Sequence, residues 1–187
     1  MALPLKLTLV TAVLLLAACR SDPIQFHTLT PTQSGDHSRT TVGVIQIESI
    51  SVPPQVDRAQ IVIRQGNSGL AILETEWWGA TLVDELNSAL ADQLSNYPAQ
   101  SGYSVRVDVQ RFDSVPGQYA LMDVKWRLRS AGESEPARVI CRSTLQTPSG
   151  PSIDELVLAQ QNNIKRLAAL ISQAAASKQA GCLMPVN

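Results

Sequence analysis

The stretch Tyr103-Ser104-Val105-Arg106-Val107-Asp108-Val109-Gln110 decides the fold. Tyr103 and the three valines share one parity and the polar residues the other, a period of two that a strand produces and a helix does not. One face of a sheet is therefore covered and the other solvated, the pattern of an antiparallel sheet with a single buried side. Val115-Pro116-Gly117-Gln118 reads as a turn, and the alternation then repeats. Ala120, Met122, Val124, Trp126 and Leu128 fall on one face; Asp123, Lys125, Arg127 and Arg129 fall on the other, as a solvated sheet surface. A turn over residues 132–136 leads to a third strand over 139–146, carrying Cys141 inward with Val139 and Leu145.

Toward the C-terminus, Ser152-Ile153-Asp154-Glu155 after Pro151 is a capping box, in which serine and glutamate satisfy each other's backbone donors. Ile153, Leu156, Val157, Ile164, Leu167, Ala168, Ile171 and Ala175 follow at helical spacing, with Lys178 in the last turn and Gly181 closing it. Toward the N-terminus, Leu82, Leu86, Leu90 and Leu94 repeat every four residues, which predicts a helix from about Trp77 to Asn96, closed by Pro98 and Gly102. Before it, residues 60–64 and 70–73 read as strands around the turn Gly66-Asn67-Ser68-Gly69. Residues 42–52 carry apolar groups on both parities and read as a largely buried strand ended by Pro53-Pro54. Strands, helix, three strands and helix with short connections give an α+β fold: a two-layer sandwich, mainly antiparallel, with two amphipathic helices on one sheet face.

The 187-residue chain opens on a leader. Lys6 precedes an apolar run over residues 7–16 that is shorter than the roughly 20 residues a membrane-spanning helix needs, so residues 1–18 read as a signal peptide. Leu16-Ala17-Ala18-Cys19 has the small residues and cysteine of a lipoprotein signal, and Cys19 is the expected site of a diacylglycerol and an N-acyl chain. The alternative is ordinary secretory cleavage near Ala18, leaving a free thiol. Arg20 after the cysteine favours export to the outer membrane. Residues 19–41, with Pro23, Pro31 and Gly35, form a lipidated N-terminus and linker, although Ile24 to Leu29 alternates and can dock as an edge strand. Residues 42–187 make one domain.

With 17% charged and 44% hydrophobic residues the chain is globular. Of 15 Lys+Arg and 16 Asp+Glu, cleavage removes only Lys6, which leaves a balance of −2 and points to no nucleic-acid partner. Once Cys19 is assigned to lipid, Cys141 and Cys182 are an even pair in an exported chain and are expected to form a disulfide. Two separate thiols are the alternative. His27 and His37 lie in the linker and read as solvated side chains; no cluster has metal-ligand spacing, and no nucleophile has a base to activate it. Asp57 and Arg58 after Pro53-Pro54 read as turn chemistry or as a functional pair. Trp77 and Trp78 are candidate interface anchors, with core packing the competing role for one of them.

Several of these stretches together resemble the PqiC/YmbA family within the ABC-type transport auxiliary lipoproteins. They are Phe26-His27-Thr28-Leu29; Val52-Pro53-Pro54-Gln55-Val56-Asp57-Arg58-Ala59-Gln60-Ile61-Val62-Ile63-Arg64; Trp77 to Leu86; Val107-Asp108-Val109-Gln110-Arg111-Phe112-Asp113; and Trp126. Ala59 stands where a proline is common, and Trp78-Gly79-Ala80 replaces a small-acidic-proline pattern. The resemblance implies an outer-membrane lipoprotein without enzymatic activity or cofactor. It also implies partnership with an MCE-domain periplasmic protein and an integral inner-membrane subunit, homo-oligomeric assembly, and a role for Pro53 to Arg58 in meeting the partner. An assembly or scaffolding lipoprotein of another export system fits the same fold. A periplasmic hydrolase would need a catalytic set that the sequence lacks.

Overall fold

In the computed structural model the described residues are 22–32, 45–97, 102–130, 139–177 and 182. Among them run β1 (Gln25–His27), β2 (Gln46–Ser51), β3 (Gln60–Gln65), β4 (Gly69–Trp78), α1 (Leu82–Ser95), β5 (Tyr103–Val115), β6 (Tyr119–Ser130), β7 (Val139–Pro148) and α2 (Ile153–Ala176). The fold is α+β with open sheets, as the alternation predicts. The signal segment, Cys19, His37, Pro98, residues 132–136, Lys178 and Gly181 lie outside the described residues.

The β5–β6 hairpin is the centre. Val105 opposes Leu128, Val107 opposes Trp126 and Val109 opposes Val124, so the valine face and the Trp126 face are one apolar surface. Gly117 closes the hairpin at φ 75°, a left-handed conformation that a side chain would strain. β7 adds antiparallel to β6, with Cys141 beside Trp126 and Leu145 beside Met122. Both helices pack on this four-stranded sheet, ordered β2-β5-β6-β7, with α2 against β5, β6 and β7 and α1 against β2 and α2. The Ser152–Glu155 capping box is present, and two buried amides pin α2 down. Gln160 donates to the carbonyl of Asp113 at 3.2 Å, and Asn163 donates to that of Ala120 at 3.0 Å while accepting from Thr147 at 2.7 Å. A disulfide joins Cys141 of β7 to Cys182, with Cα atoms 5.5 Å apart. Its 41-residue separation corresponds to about 3–4 kcal/mol in the chain-entropy picture.

Local chemistry departs from the sequence expectations in three places. Trp77 and Trp78 end a ten-residue strand and do not open a helix. Ile72, Thr75 and the two tryptophans favour extended backbone, Gly79 interrupts it, and the helix starts where Thr81 accepts from the backbone N–H of Asp84 at 3.3 Å. β2 is an edge strand, exposed or half-exposed along Gln46–Ser51, and not the largely buried strand expected; Ile45 before it is the buried residue. The sheet is also divided. β1, β4 and β3 form a separate three-stranded sheet, and two neighbouring pairs, β1 with β4 and β2 with β5, run parallel across long connections.

Candidate functional site

Two surfaces on the three-stranded sheet gather the residues that the sequence singles out. The first is the loop between β2 and β3. Pro53 accepts from the N–H of Val56 at 3.0 Å, and Val56 in turn accepts from the N–H of Arg58 at 2.9 Å. Val56 is thereby turned inward to 6% exposure, while Pro54 and Asp57 stay exposed. Asp57 and Arg58 form no ion pair with each other. The Arg58 Nε is buried without a hydrogen-bond partner among the described residues, so this guanidinium is packed as part of the loop.

Beside the loop lies a shallow cleft lined by Gln55, Val56, Arg64, Leu70, Arg111 and Asp113. Asp113 is 6% exposed in its side chain and receives two guanidiniums, Arg64 from β3 at 2.8 Å and Arg111 from its own strand. Two cations on one carboxylate leave a positive excess at the cleft, suited to an acidic side chain or another anion. Sequence reasoning missed this trio. Arg64 and Asp113 are 49 residues apart and meet because β3 crosses against β5, a contact that no local pattern encodes.

The second surface surrounds β1. His27 is not the solvated linker side chain expected: its side chain is 8% exposed, with Nε2 2.5 Å from Glu76 and Nδ1 3.3 Å from Asp154 of α2. Glu85, buried in the first turns of α1, accepts from the Thr28 hydroxyl and the Leu29 N–H, both at 2.8 Å. Gln161 donates to the Thr28 carbonyl at 3.0 Å. Leu29 is fully buried, and Gly79 donates to the His27 carbonyl at 2.8 Å. Residues of the expected linker are therefore locked into the domain by one strand and both helices. The sequence signals this in the alternation of Ile24 to Leu29 and in the family resemblance of Phe26 to Leu29.

Trp77 and Trp78 separate as neighbours on a strand do. Trp78 is 4% exposed and packs edge-on against Phe112, with centroids 6.5 Å apart. Trp77 is half-buried and meets Phe26 edge-on at 6.4 Å. One of the pair is thus core, and the other stands on the surface.

Asp123, expected on the solvated face of the larger sheet, is instead buried at 4% exposure, because Arg142 of the neighbouring strand covers it and binds it with two nitrogens, one at 2.9 Å. That hydrogen bonding holds the Asp123 carboxyl below the ordinary aspartate range, against the opposing effect of its burial. The Ser152 hydroxyl and N–H likewise lower Glu155. Lys125, Arg127 and Arg129 make no ion pair among the described residues. No group of three or more His, Cys, Asp or Glu side chains suited to a metal occurs among those residues, and no helix there is long and apolar enough to cross a membrane.

A crystal structure of a Xanthomonas campestris protein of the DUF330 family superposes with a TM-score of 0.65 at 16% identity, covering 81% of this chain and 95% of the other. A second crystal structure, of an uncharacterized protein, gives 0.62 at 16% identity over 81% and 98%. At such identities the likeness is one of fold. No curated protein matches the chain. The family of the ABC-type transport auxiliary lipoprotein component matches residues 27–172, from the clamped histidine of β1 to the last turns of α2. That span takes in the 53–58 loop with its cleft and the clamp from His27 onward, and the chain belongs to this family of transport lipoproteins, which is not a family of enzymes.

Proposed function

We propose that this protein is the outer-membrane lipoprotein of an MCE-type intermembrane lipid transport system, anchored through acylated Cys19 and docking the periplasmic conduit to the inner leaflet of the outer membrane. The observation that carries this reading is the family match over residues 27–172, taken with the lipoprotein signal Leu16-Ala17-Ala18-Cys19 ahead of it. The partners are an MCE-domain periplasmic protein and an integral inner-membrane subunit, and the chain self-associates. The protein supplies binding and placement, and the hydroxyl–carboxylate contact of the second surface, Thr28 with Glu85, serves to clamp β1.

The cleft beside residues 53–58 provides the partner side. Its Arg64–Asp113–Arg111 cluster is held by two strands, and Pro54 and Asp57 project beside it, so an acidic or polar partner segment meets a preformed surface. Trp77 and Trp78 take no part there.

Affinity purification of the tagged full chain in mild detergent after crosslinking tests the reading. It is expected to retrieve an MCE-domain protein, and Gln55→Glu, which adds a negative charge to the cleft without touching the Asp113 ion pairs, is expected to reduce that recovery at unchanged protein level. Recovery of a different envelope assembly in its place overturns the transport assignment. Cys19→Ala is expected to move the protein from the membrane to the soluble fraction; full membrane retention overturns the anchor.

A further inference from the structure

The side chains nearest the anchor are oddly apolar for a surface. Phe26 is 67% exposed and Ile24 47%, and both lie in the short segment leading from Cys19 into the domain. Phe26 is not a loose side chain on a tether: β1 aligns it with Trp77 of β4, and their rings meet edge-on. The Trp77 indole N–H donates to the Glu74 carbonyl at 2.9 Å, which fixes the ring. Immediately beyond, His27, Thr28 and Leu29 are held by Glu76, Glu85, Asp154 and Gln161. An apolar aromatic edge is thus built rigidly onto the domain.

We propose that Ile24, Phe26 and Trp77 lie in the headgroup region of the bilayer that holds the Cys19 acyl chains, and so fix which side of the domain faces the membrane. The inference rests on the lipid-anchor reading of Cys19. The six residue steps from Cys19 to Gln25 span at most about 21 Å at full extension. The acyl chains insert, so the aromatic edge starts within reach of the interface with no large search. Tethering makes this contact intramolecular, and a weak interfacial preference is enough to hold it. Aromatic rings with apolar bodies favour that zone, where they leave water without entering the hydrocarbon core. The exposed acids nearby, Asp22 and Glu74, suit a zwitterionic surface better than an anionic one. With β1 at the membrane, the residue 53–58 loop, which leads into the far strand β3 of the same sheet, and Arg64 of that strand, which faces β5 across the cleft, are presented to the side for a partner.

The test uses the lipidated full chain, extracted from membranes and reconstituted into phosphatidylethanolamine–phosphatidylcholine vesicles with or without bromine on the upper acyl chain. Trp78 and Trp126 are 4% and 1% exposed, so bromine quenching reports Trp77. Emission is expected to fall in the brominated vesicles, and Trp77→Phe is expected to abolish that fall. Replacing Phe26 with the photoreactive benzoylphenylalanine is expected to crosslink the chain to lipid on illumination. Lipidated protein whose emission is equal in both vesicles, or whose photoproduct is a second copy of the chain, overturns the inference alone. An N-terminal peptide that carries no lipid by mass spectrometry overturns the anchor reading and this inference with it.

Discussion

Trp126 and Phe26 are both aromatic residues on strands of the same domain, and they sit at opposite extremes. Trp126, in the four-stranded sheet, is 1% exposed and donates its indole N–H to Ser143 at 3.1 Å. Phe26, in the three-stranded sheet, is 67% exposed. The larger sheet is held by apolar burial under two helices, with its buried amides satisfied. The smaller sheet holds its first strand through a ring of polar contacts to Glu76, Glu85, Asp154 and Gln161, and leaves aromatic surface uncovered. The stability of the domain is concentrated in the first region, and its outward business in the second.

The most direct way to break this contrast is Trp126→Ala. It removes a large side chain from a packed core and leaves Ser143 without its partner, at an expected cost of about 3–5 kcal/mol in urea unfolding. A loss below about 1 kcal/mol would mean that the site collapses and the sheet is not the stabilising centre. Glu85→Ala attacks the other region. The buried Leu29 N–H and the Thr28 hydroxyl lose their acceptor, which is expected to cost about 1–3 kcal/mol. Hydrogen exchange then sharpens the comparison: amides of residues 25–29 should exchange faster while those of β5, β6 and β7 keep their protection. Uniform acceleration across both sheets would show that the two regions unfold as one unit.

Acid separates the regions in a different way. Because hydrogen bonding to Arg142 depresses the folded-state pKa of Asp123, the unfolded chain binds more protons there as pH falls. The stabilisation is fully present above the unfolded aspartate value, about pH 4, and is lost as pH drops through the lower folded value. Asp123→Asn should therefore flatten this part of the acid limb and change little near neutrality beyond a constant offset. An acid limb identical in both proteins would remove Asp123 as its source. Arg142 is 62% exposed in its side chain, so the effect is screened and smaller than the core and clamp losses.

The same contrast explains what could be read in advance. Alternation over residues 103–110 and 120–129 is a local signal, and it carries strand identity and the buried face there; the register shift between Val109 and Arg111, which turns Phe112 inward, and the burial of Asp113, Leu121 and Asp123 are not announced by it. The capping box of α2 was equally local. The failures share a cause. His27 gains its partners from residues 49 and 127 positions away, and the Arg64–Asp113 contact joins two sheets whose separation no periodicity reports. The leucine repeat behind Trp77 has no sharp start in its period, so the helix expected from it runs into the strand, whereas the Thr81–Asp84 cap marks the true start. Of the singled-out surface residues, Pro54, Asp57 and Trp77 stay accessible, while Val56 and Trp78, their neighbours, turn into the core.

The smallest expected effect is the most telling. Phe26→Ser removes the largest exposed aromatic in the described residues, and because that ring is mostly in water already, unfolding stability should change by no more than about 0.5 kcal/mol. Its edge-on contact with the half-buried Trp77 contributes little, because Phe26 keeps most of its surface in water. An apolar group that does almost nothing for the fold, held in place by a clamp that costs several buried polar groups, has its use elsewhere. If urea unfolding shows a loss of about 2 kcal/mol or more, Phe26 belongs to the core of the smaller sheet. The contrast between a stabilising region and an outward-facing one then disappears. A small loss, with Trp77 emission in the vesicles altered, keeps the aromatic edge as a surface shaped for contact.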